Sequence, residues 1–429
     1  MKGRLNLFQE AMLRWREIHP YSAVHAIRID QPLDAERLSS VIDGRLEALG
    51  LTGLTLDFAH ARFEYTGGAA HSMLAVHAGG AEPMQVLQRE IERELNTPFP
   101  HQGPLVPFRF FAIEADAYFH LAITYDHFIA AGDSIVVLLE GMVSAYRGGG
   151  TTLARPLQRY PATCRRLFRH HPRAALRGMC RVREMVASCR RSVRPRYPGG
   201  PDPRNGFVYC RVAPPEFAAL IRTTKAWGVT VNDLLMAILL QVLEPLAGNR
   251  PSKERRHEIA LASIVNLRHE FGYDDTTFGQ FLSSFRVSHP LPAGIPLQQL
   301  ARDIHSETAR IKSERLYLQS LLAIGANNVL WRLLSPRQRL GFYTKNYPAW
   351  AAITMVNVDA LWSEAAATTT PSEYLRAVST GPLAPLVVAV TTSAGVLHAG
   401  ISYRTAAHSP AVIAKLAAGF VDLAGRLGP

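Results

Sequence analysis

The chain has 429 residues, of which 48% are hydrophobic and 19% are charged, so it is long and apolar enough to form one large or two medium globular cores. Its net charge of +12 arises within residues 151–200, which hold 13 arginines and one acidic residue, and the rest of the chain is balanced. The sequence has no apolar run that could span a membrane, no signal peptide and no CxxC pair, which argues against membrane-spanning, secreted disulfide-rich and zinc-binding proteins and points to the cytoplasm.

Residues 1–150 are predicted to form a first lobe that mixes helices with strands. The apolar spacing predicts helices over Leu5–Trp15, 34–50 and Ser134–Tyr146, and strands over Ala23–Ile29, 105–114 and 118–126. Residues 115–117 separate the last two strands in the way that a hairpin turn would. Residues 151–205 follow as a basic crossover segment, which leads into a loop rich in proline and glycine before residue 206.

Residues 206–429 are predicted to form a second lobe with a similar mixture. Strands are expected over 206–212, 257–268, 350–362, 385–395 and 396–404, and helices over 214–228, 230–246, Ala301–Arg315, Leu316–Leu334 and Ala411–Leu427. Thr230 and Asp233 have the spacing of a capping box. Because helices and strands do not alternate strictly, the pattern favours an α/β fold of the α+β type, with one two-layer sandwich in each lobe, over a doubly wound parallel sheet.

The stretch "FHLAITYDHFIAAGDSIVVLLEGM" places His127 where an apolar strand meets a tight turn and the start of a helix. The strand fixes the ring, the turn exposes it, and the free N–H groups of the helix, capped in part by Asp133 or Ser134, favour negative charge nearby. These features suit a histidine that takes a proton from a hydroxyl or an amine as it attacks a carbonyl. The alternative is a buried histidine that bonds to a backbone carbonyl and serves only the fold.

The segment "DHFIAAGDS" resembles the HHxxxDGxS motif of the condensation-domain and chloramphenicol-acetyltransferase-like acyltransferases. Five further segments are similar to segments of that superfamily and occur in the same order: "GVTVNDLLMAILL", "SIVNLRHEF", "FGQFLSSFRV", "TMVNVDAL" and the closing "LVVAVTTSAGVLHAGISYRTAAHSPAVIAKLAAGFVDL". The resemblance covers nearly the whole chain and is strongest to the members of the wax ester synthase type.

This resemblance implies two chloramphenicol-acetyltransferase-like lobes in one chain, with a tunnel between them and His127 at its centre. His127 would be the general base that deprotonates a hydroxyl or amine acceptor for attack on an acyl thioester, carried by coenzyme A or by an acyl carrier protein. A backbone N–H near Gly132 would hold the oxyanion of the tetrahedral intermediate. The resemblance implies no metal, no covalent acyl-enzyme and no cofactor other than the thioester co-substrate.

Two positions depart from the motif of the superfamily. Asp126 replaces its first histidine, at a position that varies, and Ala131 replaces its aspartate. In the superfamily that aspartate pairs with an arginine that matches Arg268. Because a buried guanidinium without a partner is costly, we expect Asp133 to pair with Arg268 instead. Alternatively, Asp133 only caps the helix and Arg268 reaches solvent or Asp126.

Two hypotheses on function follow. The chain is an acyltransferase with His127 as its base, or it is a degenerate, non-catalytic member that binds a carrier protein, a lipid or another partner, which the alanine at position 131 would favour. Four polar residues are candidates for the lining of the tunnel: Asp126, Ser134, Asn266 and Asn357.

The Arg-rich segment 151–200 is open to several interpretations. Its few aromatic residues and the absence of a nucleic-acid-binding motif argue against nucleic acid as a partner. Its arginines suit the docking of an acidic carrier protein or of the phosphates of acyl-CoA, or a solvated crossover helix. Apolar residues at helical spacing also suit an amphipathic helix on an anionic membrane, and hence a peripheral location at its inner face: Leu167, Phe168, Leu176, Met179, Val182, Met185 and Val186.

Overall fold

The computed structural model describes residues 1–100, 105–148, 158–159, 164–200, 202–248, 255–290, 292–362 and 370–427. Its helices are α1 (Leu7–Trp15), α2 (Ala35–Ala48), α3 (Pro83–Asn96), α4 (Gly132–Tyr146), α5 (Cys164–His170), α6 (Pro172–Cys180), α7 (Val182–Arg191), α8 (Pro214–Trp227), α9 (Val231–Ala247), α10 (Leu297–Ser313), α11 (Tyr317–Trp331), α12 (Pro336–Asn346), α13 (Val358–Leu361) and α14 (Pro410–Gly425).

Its strands are β1 (Lys2–Arg4), β2 (Ser22–Ile29), β3 (Leu54–Asp57), β4 (Arg62–Tyr65), β5 (Leu74–Ala78), β6 (Phe108–Glu114), β7 (Phe119–Asp126), β8 (Gln158–Arg159), β9 (Asn205–Val212), β10 (Ile259–Asn266), β11 (Thr277–Phe278), β12 (Leu282–His289), β13 (Ala351–Asn357), β14 (Tyr374–Val378), β15 (Leu386–Ser393) and β16 (Val396–Arg404).

The first large sheet has the strand order β14-β2-β7-β6-β5. Every residue of β7 is buried, as its continuous apolar run predicts for a strand covered on both faces. Helix α3 packs on one face through Leu87, Ile91 and Leu95, and the main core, which includes α1 and α4, covers the other. Strand β7 therefore runs through the middle of the first half of the molecule, and its end carries His127 into the interior.

The second large sheet has the strand order β12-β10-β13-β15-β16-β9 and mixes parallel with antiparallel pairs. Helices α9, α10 and α14 cover it, and α9 begins with the predicted capping box of Thr230 and Asp233. Helices and strands thus mix in both halves without a strict alternation. The predicted α/β fold class with two sandwich lobes is confirmed.

Strand β14 crosses from the second half of the chain to the first sheet. It pairs antiparallel with β2, and this register places Arg376 directly opposite His25. No strand is predicted here from the apolar pattern, and the whole of 206–429 is expected to belong to the second lobe. Residues from that range instead contribute to both sheets.

Two other segments differ from the sequence-based predictions. The strand predicted over 350–362 ends at Asn357, whose side chain accepts a hydrogen bond from the N–H of Ala360 and so caps the short helix α13. The single amphipathic helix considered for the Arg-rich segment is three short helices, α5, α6 and α7. Pro172 begins the second of them, where its lack of an N–H does no harm.

Among the described helices, none is both long and apolar enough to cross a membrane alone. Helices α8 and α9 would satisfy the length and composition only as a pair, and a bend of 102° separates their axes.

Candidate functional site

A cavity of about 800 Å³ is lined by residues from both large sheets, and we name it the central cavity. From the first half of the chain, His127 and Asp133 line it, and from the second half Asn266 and Asn357 do so. These residues are distant in sequence, and the two sheets bring them to one space. The predicted site residues His127, Gly132, Asp133, Asn266 and Asn357 therefore share one cavity.

The turn that carries His127 is held by its backbone. The N–H of His127 donates to the carbonyl oxygen of Tyr21 over 3.2 Å, and its carbonyl oxygen accepts from Nε2 of Gln280 over 3.1 Å. Farther along the turn, the N–H of Ala131 donates to the carbonyl oxygen of Gly279 over 2.9 Å. The chain segments on both sides of the turn thus fix the position of the imidazole ring.

The imidazole of His127 is buried and neutral. The residue is 7% exposed, and its ring packs against the rings of Tyr21 and Tyr125, with centroids 5.5 and 5.8 Å away. Burial lowers the pKa of His127 to about 4, with a further lowering by the Arg376 guanidinium and an opposing contribution from the backbone of Ala130. Its Nδ1 atom is buried, and no hydrogen bond of standard geometry joins that atom to a described residue. A neutral imidazole has one nitrogen that can accept a proton.

Helix α4 begins at Gly132, next to the histidine. A Cβ atom at this position would lie 2.9 Å from Nη1 of Arg376 and 3.4 Å from the ring of His25, so a larger residue would have to displace the tip of the Arg376 side chain. The first N–H groups of an α-helix have no acceptor within the helix and favour negative charge. The start of α4 therefore presents a positive potential to the central cavity.

Asp133 and Arg268 form the ion pair that the sequence suggests. Oδ2 of Asp133 lies 2.8 Å from Nη2 of Arg268, whose residue has no solvent exposure. The same carboxylate oxygen accepts from Nδ2 of Asn266. Nη1 of Arg268 donates to the carbonyl oxygens of Asp274 and Asp275, 3.3 and 3.2 Å away. The pair joins the start of α4 to the end of β10.

Asp126 and Ser134 do not lie at the cavity, contrary to the expectation that they line the tunnel. The carboxylate of Asp126 forms an ion pair with Arg16, and neither residue lines the cavity. The hydroxyl of Ser134 accepts from Nη2 of Arg268 over 2.8 Å and from the N–H of Gly279 over 3.1 Å. Both side chains stabilise the turn and the start of the helix, because Asp126 pairs with Arg16 and Ser134 bonds to Arg268 and Gly279.

A polar cluster not predicted from the sequence also lies at the cavity: His25, Tyr125 and Arg376 line it, and Tyr374 contacts His25. Nδ1 of His25 lies 2.8 Å from the hydroxyl of Tyr374, and its Nε2 lies 3.4 Å from that of Tyr125. The signal in the sequence is "YLRAV", where Tyr374 and Arg376 alternate with apolar residues as on one face of a strand.

Chemically, the site combines a neutral buried imidazole, a helix start and a roomy, largely apolar cavity. This combination can accept a proton from a bound nucleophile and can stabilise negative charge that develops near the helix start. Within the described ranges, no group of three or more His, Cys, Asp or Glu side chains is arranged to hold a metal ion.

The fold is similar to that of several solved structures. No family model and no curated protein sequence matches the chain. Among solved structures, the first condensation domain of the calcium-dependent antibiotic synthetase, in complex with a substrate analogue, is similar at a TM-score of 0.71 and 13% identity, with 100% of this chain and 98% of that chain covered. The EpoB cyclization-docking bidomain from Sorangium cellulosum has a TM-score of 0.70 at 12% identity, with 100% and 84% covered.

The SgcC5 protein from Streptomyces globisporus is also similar, with a TM-score of 0.65, 15% identity and 98% of both chains covered. At such identities the likeness establishes the fold. The chain has the condensation-domain, chloramphenicol-acetyltransferase-like fold, and the sequence-based prediction of this fold is confirmed.

Proposed function

We propose that this chain, which has the condensation-domain fold, is an acyltransferase that moves an acyl group from a thioester to a hydroxyl or an amine. The observation that carries the proposal is the placement of His127, whose neutral ring lines the central cavity at the start of α4. A histidine that served only the fold would be expected to lie away from the cavity. The position of His127 among the lining residues supports a role toward a bound molecule instead.

In this mechanism, His127 accepts the proton of the acceptor hydroxyl or amine while the oxygen or nitrogen attacks the thioester carbonyl carbon. The new bond forms as the carbonyl π electrons move to oxygen, and the backbone N–H groups at Gly132 stabilise this oxyanion. When the tetrahedral intermediate collapses, the carbon–sulfur bond breaks and the thiolate takes the proton from His127. The ester or amide and the free thiol leave, and the imidazole is neutral again.

The rim of the cavity supports an anionic carrier for the acyl group. Five basic residues, which we name the basic rim, line one part of the cavity: Arg190, Arg194, Arg255, Arg256 and Lys345. The pKa of Arg256 is lowered, mainly by burial and to a smaller extent by the positive charges of Arg194 and Arg255, so these cations lie close together. Such a cluster attracts the phosphates of acyl-CoA or of the phosphopantetheine arm on an acidic carrier protein. The solved relatives include domains of peptide synthetases, which favours the carrier protein.

A non-catalytic binding protein is the second candidate, and the alanine at the position of the motif aspartate is the observation that favours it. Ala131 is the N-cap residue of α4 and supplies no side-chain hydrogen bond there. However, the carboxylate of Asp133 reaches Arg268 from two residues farther along the chain. The presence of this ion pair supports an intact site and hence the catalytic candidate.

The test is the release of free thiol from a panel of acyl-CoA and acyl-carrier-protein thioesters, with alcohols and amines as acceptors. We expect thiol release by the wild-type protein and a rate lower by about 10²–10⁴-fold for His127→Ala, because a positioned general base contributes by that factor. The matched control is His60→Ala, since His60 lies exposed on the hairpin of β3 and β4, away from the cavity.

The outcomes separate the two candidates. An unchanged rate in a folded His127→Ala protein would remove this residue from the mechanism. Binding of thioesters without any thiol release, across the whole panel, would favour the non-catalytic protein. A large loss of melting temperature on the same substitution would show that His127 serves the fold.

A further inference from the structure

Arg376 is a buried cation on the wall of the central cavity. It is 3% exposed, it lines the cavity, and it lies on β14 opposite His25 of β2. Within the described residues, its Nη2 atom has two long contacts, to the carbonyl oxygen and the hydroxyl of Thr354, 3.3 and 3.5 Å away. Its Nε atom has no hydrogen-bond partner among the described residues. Most of the donor capacity of the guanidinium is therefore unused.

No described carboxylate forms an ion pair with Arg376. Asp133 is the acidic group that affects the pKa of Arg376, and its effect is smaller than those of burial and of two tyrosines. That carboxylate is already engaged by Arg268 and Asn266. The positive charge of Arg376 is thus buried without a counter-ion, an arrangement that is several kcal/mol unfavourable in a protein interior.

The other groups around Arg376 are neutral. Burial and the guanidinium itself lower the pKa of His25 well below its usual value, and burial raises the pKa of Tyr374 well above its own. Tyr125 has a raised pKa for the same reason. Nη1 lies close to the start of α4, 2.9 Å from where a Cβ atom of residue 132 would be. A guanidinium and a helix start therefore direct positive potential into the same part of the cavity.

We propose that Arg376 binds a carboxylate group of a substrate, inside the central cavity and beside His127. This proposal rests on the proposed function, in that it takes the central cavity for the substrate site. A carboxylate fits better than a phosphate, because the deep part of the cavity offers one guanidinium and neutral hydroxyls, whereas several cations stand at the basic rim. Bidentate recognition of a carboxylate is the geometry that a guanidinium favours.

The first experiment uses a pair of probes that differ only in charge. Melting temperature is measured against hexanoate and hexanamide at constant ionic strength, in the wild type, in Arg376→Gln and in Arg190→Gln. We expect hexanoate to stabilise the wild type saturably, with an apparent Kd roughly tenfold or more below that of hexanamide, as a charge-assisted hydrogen bond provides. Arg376→Gln should abolish this preference, and Arg190→Gln, at the exposed rim, should retain it.

Three results would overturn the site. These are equal affinity of the wild type for the two probes, no saturable effect of hexanoate, and a preference for hexanoate that survives in Arg376→Gln. A preference lost equally in Arg190→Gln and Arg376→Gln would show general attraction of anions to a basic cavity, which also contradicts the proposal.

The second experiment identifies the substrate that carries the carboxylate. Binding is measured by calorimetry in His127→Ala, where turnover is removed, for glutaryl-CoA against pentanoyl-CoA and for phenylalanine against phenylalaninamide. A preference for glutaryl-CoA assigns the carboxylate to the acyl chain, and a preference for phenylalanine assigns it to the acceptor. Equal binding within both pairs contradicts a substrate carboxylate.

Failure of this proposal and failure of the proposed function give different results. A preference for hexanoate without thiol release from any thioester keeps the carboxylate site and removes the acyltransferase. Thiol release that depends on His127, together with equal affinities for hexanoate and hexanamide, keeps the acyltransferase and removes the carboxylate site.

Discussion

Arg268 and Arg376 are both almost fully buried, yet their charges are balanced in opposite ways. Arg268 faces the carboxylate of Asp133 and donates to several carbonyl oxygens. Arg376 faces neutral groups and an open cavity. Arg268 joins two parts of the fold through its ion pair, whereas the charge of Arg376 stays available to bind a ligand.

This contrast predicts opposite effects for the same substitution. Arg268→Met should destabilise the protein by about 3–5 kcal/mol, because it leaves the Asp133 carboxylate buried without its partner. Arg376→Met should leave the free energy of unfolding of the ligand-free protein unchanged or raise it, because it removes an uncompensated charge. Urea denaturation of the two variants measures both values. A loss of several kcal/mol in Arg376→Met would show that the fold needs this guanidinium and would contradict its role as a ligand site.

At the scale of single residues, the predictable part of the site is the part that lies in one local motif. His127, Asp133 and Arg268 stand at strand ends and helix starts, where the order of residues itself indicates their chemistry. His25 and Arg376 lie in strand interiors far apart in sequence, and they meet only because β14 joins β2. Strand pairing over such a separation leaves no local pattern to identify.

Among the elements, α4 begins without a side-chain cap. Its N-cap residue, Ala131, provides no side-chain acceptor, whereas α14 has the usual arrangement, in which Ser409 accepts from the N–H of Val412. The start of α4 is held instead by Asp133, by the hydroxyl of Ser134 and by the backbone of Gly279. The helix is thus fixed to the second half of the chain rather than capped by its own sequence.

Removal of the Asp133 and Ser409 side chains should therefore lower the free energy of unfolding by unequal amounts. Asp133→Ala should lower the free energy of unfolding by about 3–5 kcal/mol, because it leaves the Arg268 guanidinium buried and unpaired. Ser409→Ala, the matched control, should lower it by only about 0.5–2 kcal/mol, as loss of a cap does. Chemical denaturation of both variants compares them. Similar losses in the two would mean that Asp133 acts as a cap alone.

Elements with strong local signals were predicted, and those that depend on distant contacts were not. The capping box of Thr230 and the hairpin strands β6 and β7 are determined by nearby residues. Strand β14 is short, and its sequence contains an arginine that looks exposed without its partner strand. Asn357 turns the chain after β13 because its side chain can cap a helix, which the apolar pattern around it conceals.

On the scale of the whole molecule, the basic helices α5–α7 form a surface where arginines and apolar residues alternate. Leu176 is 58% exposed and Met179 54% exposed, and Val182 is exposed as well, whereas Leu167 is buried and Val186 lines the central cavity. Exposed apolar residues among basic ones favour contact with an anionic membrane, which keeps the peripheral location a proposal worth testing.

We expect the wild type to cosediment with vesicles of anionic lipid at low salt and to dissociate as salt is raised, since each basic side chain near the surface contributes roughly 1 kcal/mol. Binding should fall by more than about 100-fold when five exposed arginines of the basic helices become glutamine: Arg165, Arg166, Arg169, Arg173 and Arg177. The control replaces five exposed arginines elsewhere: Arg62, Arg89, Arg211, Arg222 and Arg302. If the wild type stays in solution at low salt, the membrane proposal fails and a carrier protein becomes the leading partner for this surface.

Buried neutral histidines make the whole fold sensitive to mild acid. Burial lowers the pKa of His19 to about 3 and those of His127 and His398 to about 4, below the value of about 6.5 in the unfolded chain. Below pH 6.5 the unfolded state therefore binds protons that the folded state does not. Each such group lowers the free energy of unfolding by up to about 1.4 kcal/mol per pH unit as the pH falls from 6.5 towards 4. Urea denaturation at pH 7.5 and pH 5 measures this loss, and equal stabilities would contradict it.

The position of Arg376 beside His127 has a consequence for fidelity. Burial is the largest cause of the low pKa of His127, and the Arg376 guanidinium is the second. An anion bound to Arg376 would offset the second cause and raise the pKa of His127. His127 would thus be a stronger base with the carboxylate bound than in the empty cavity. A thioester that arrives without the correct co-substrate would then be hydrolysed more slowly than the acyl group is transferred when the co-substrate is bound.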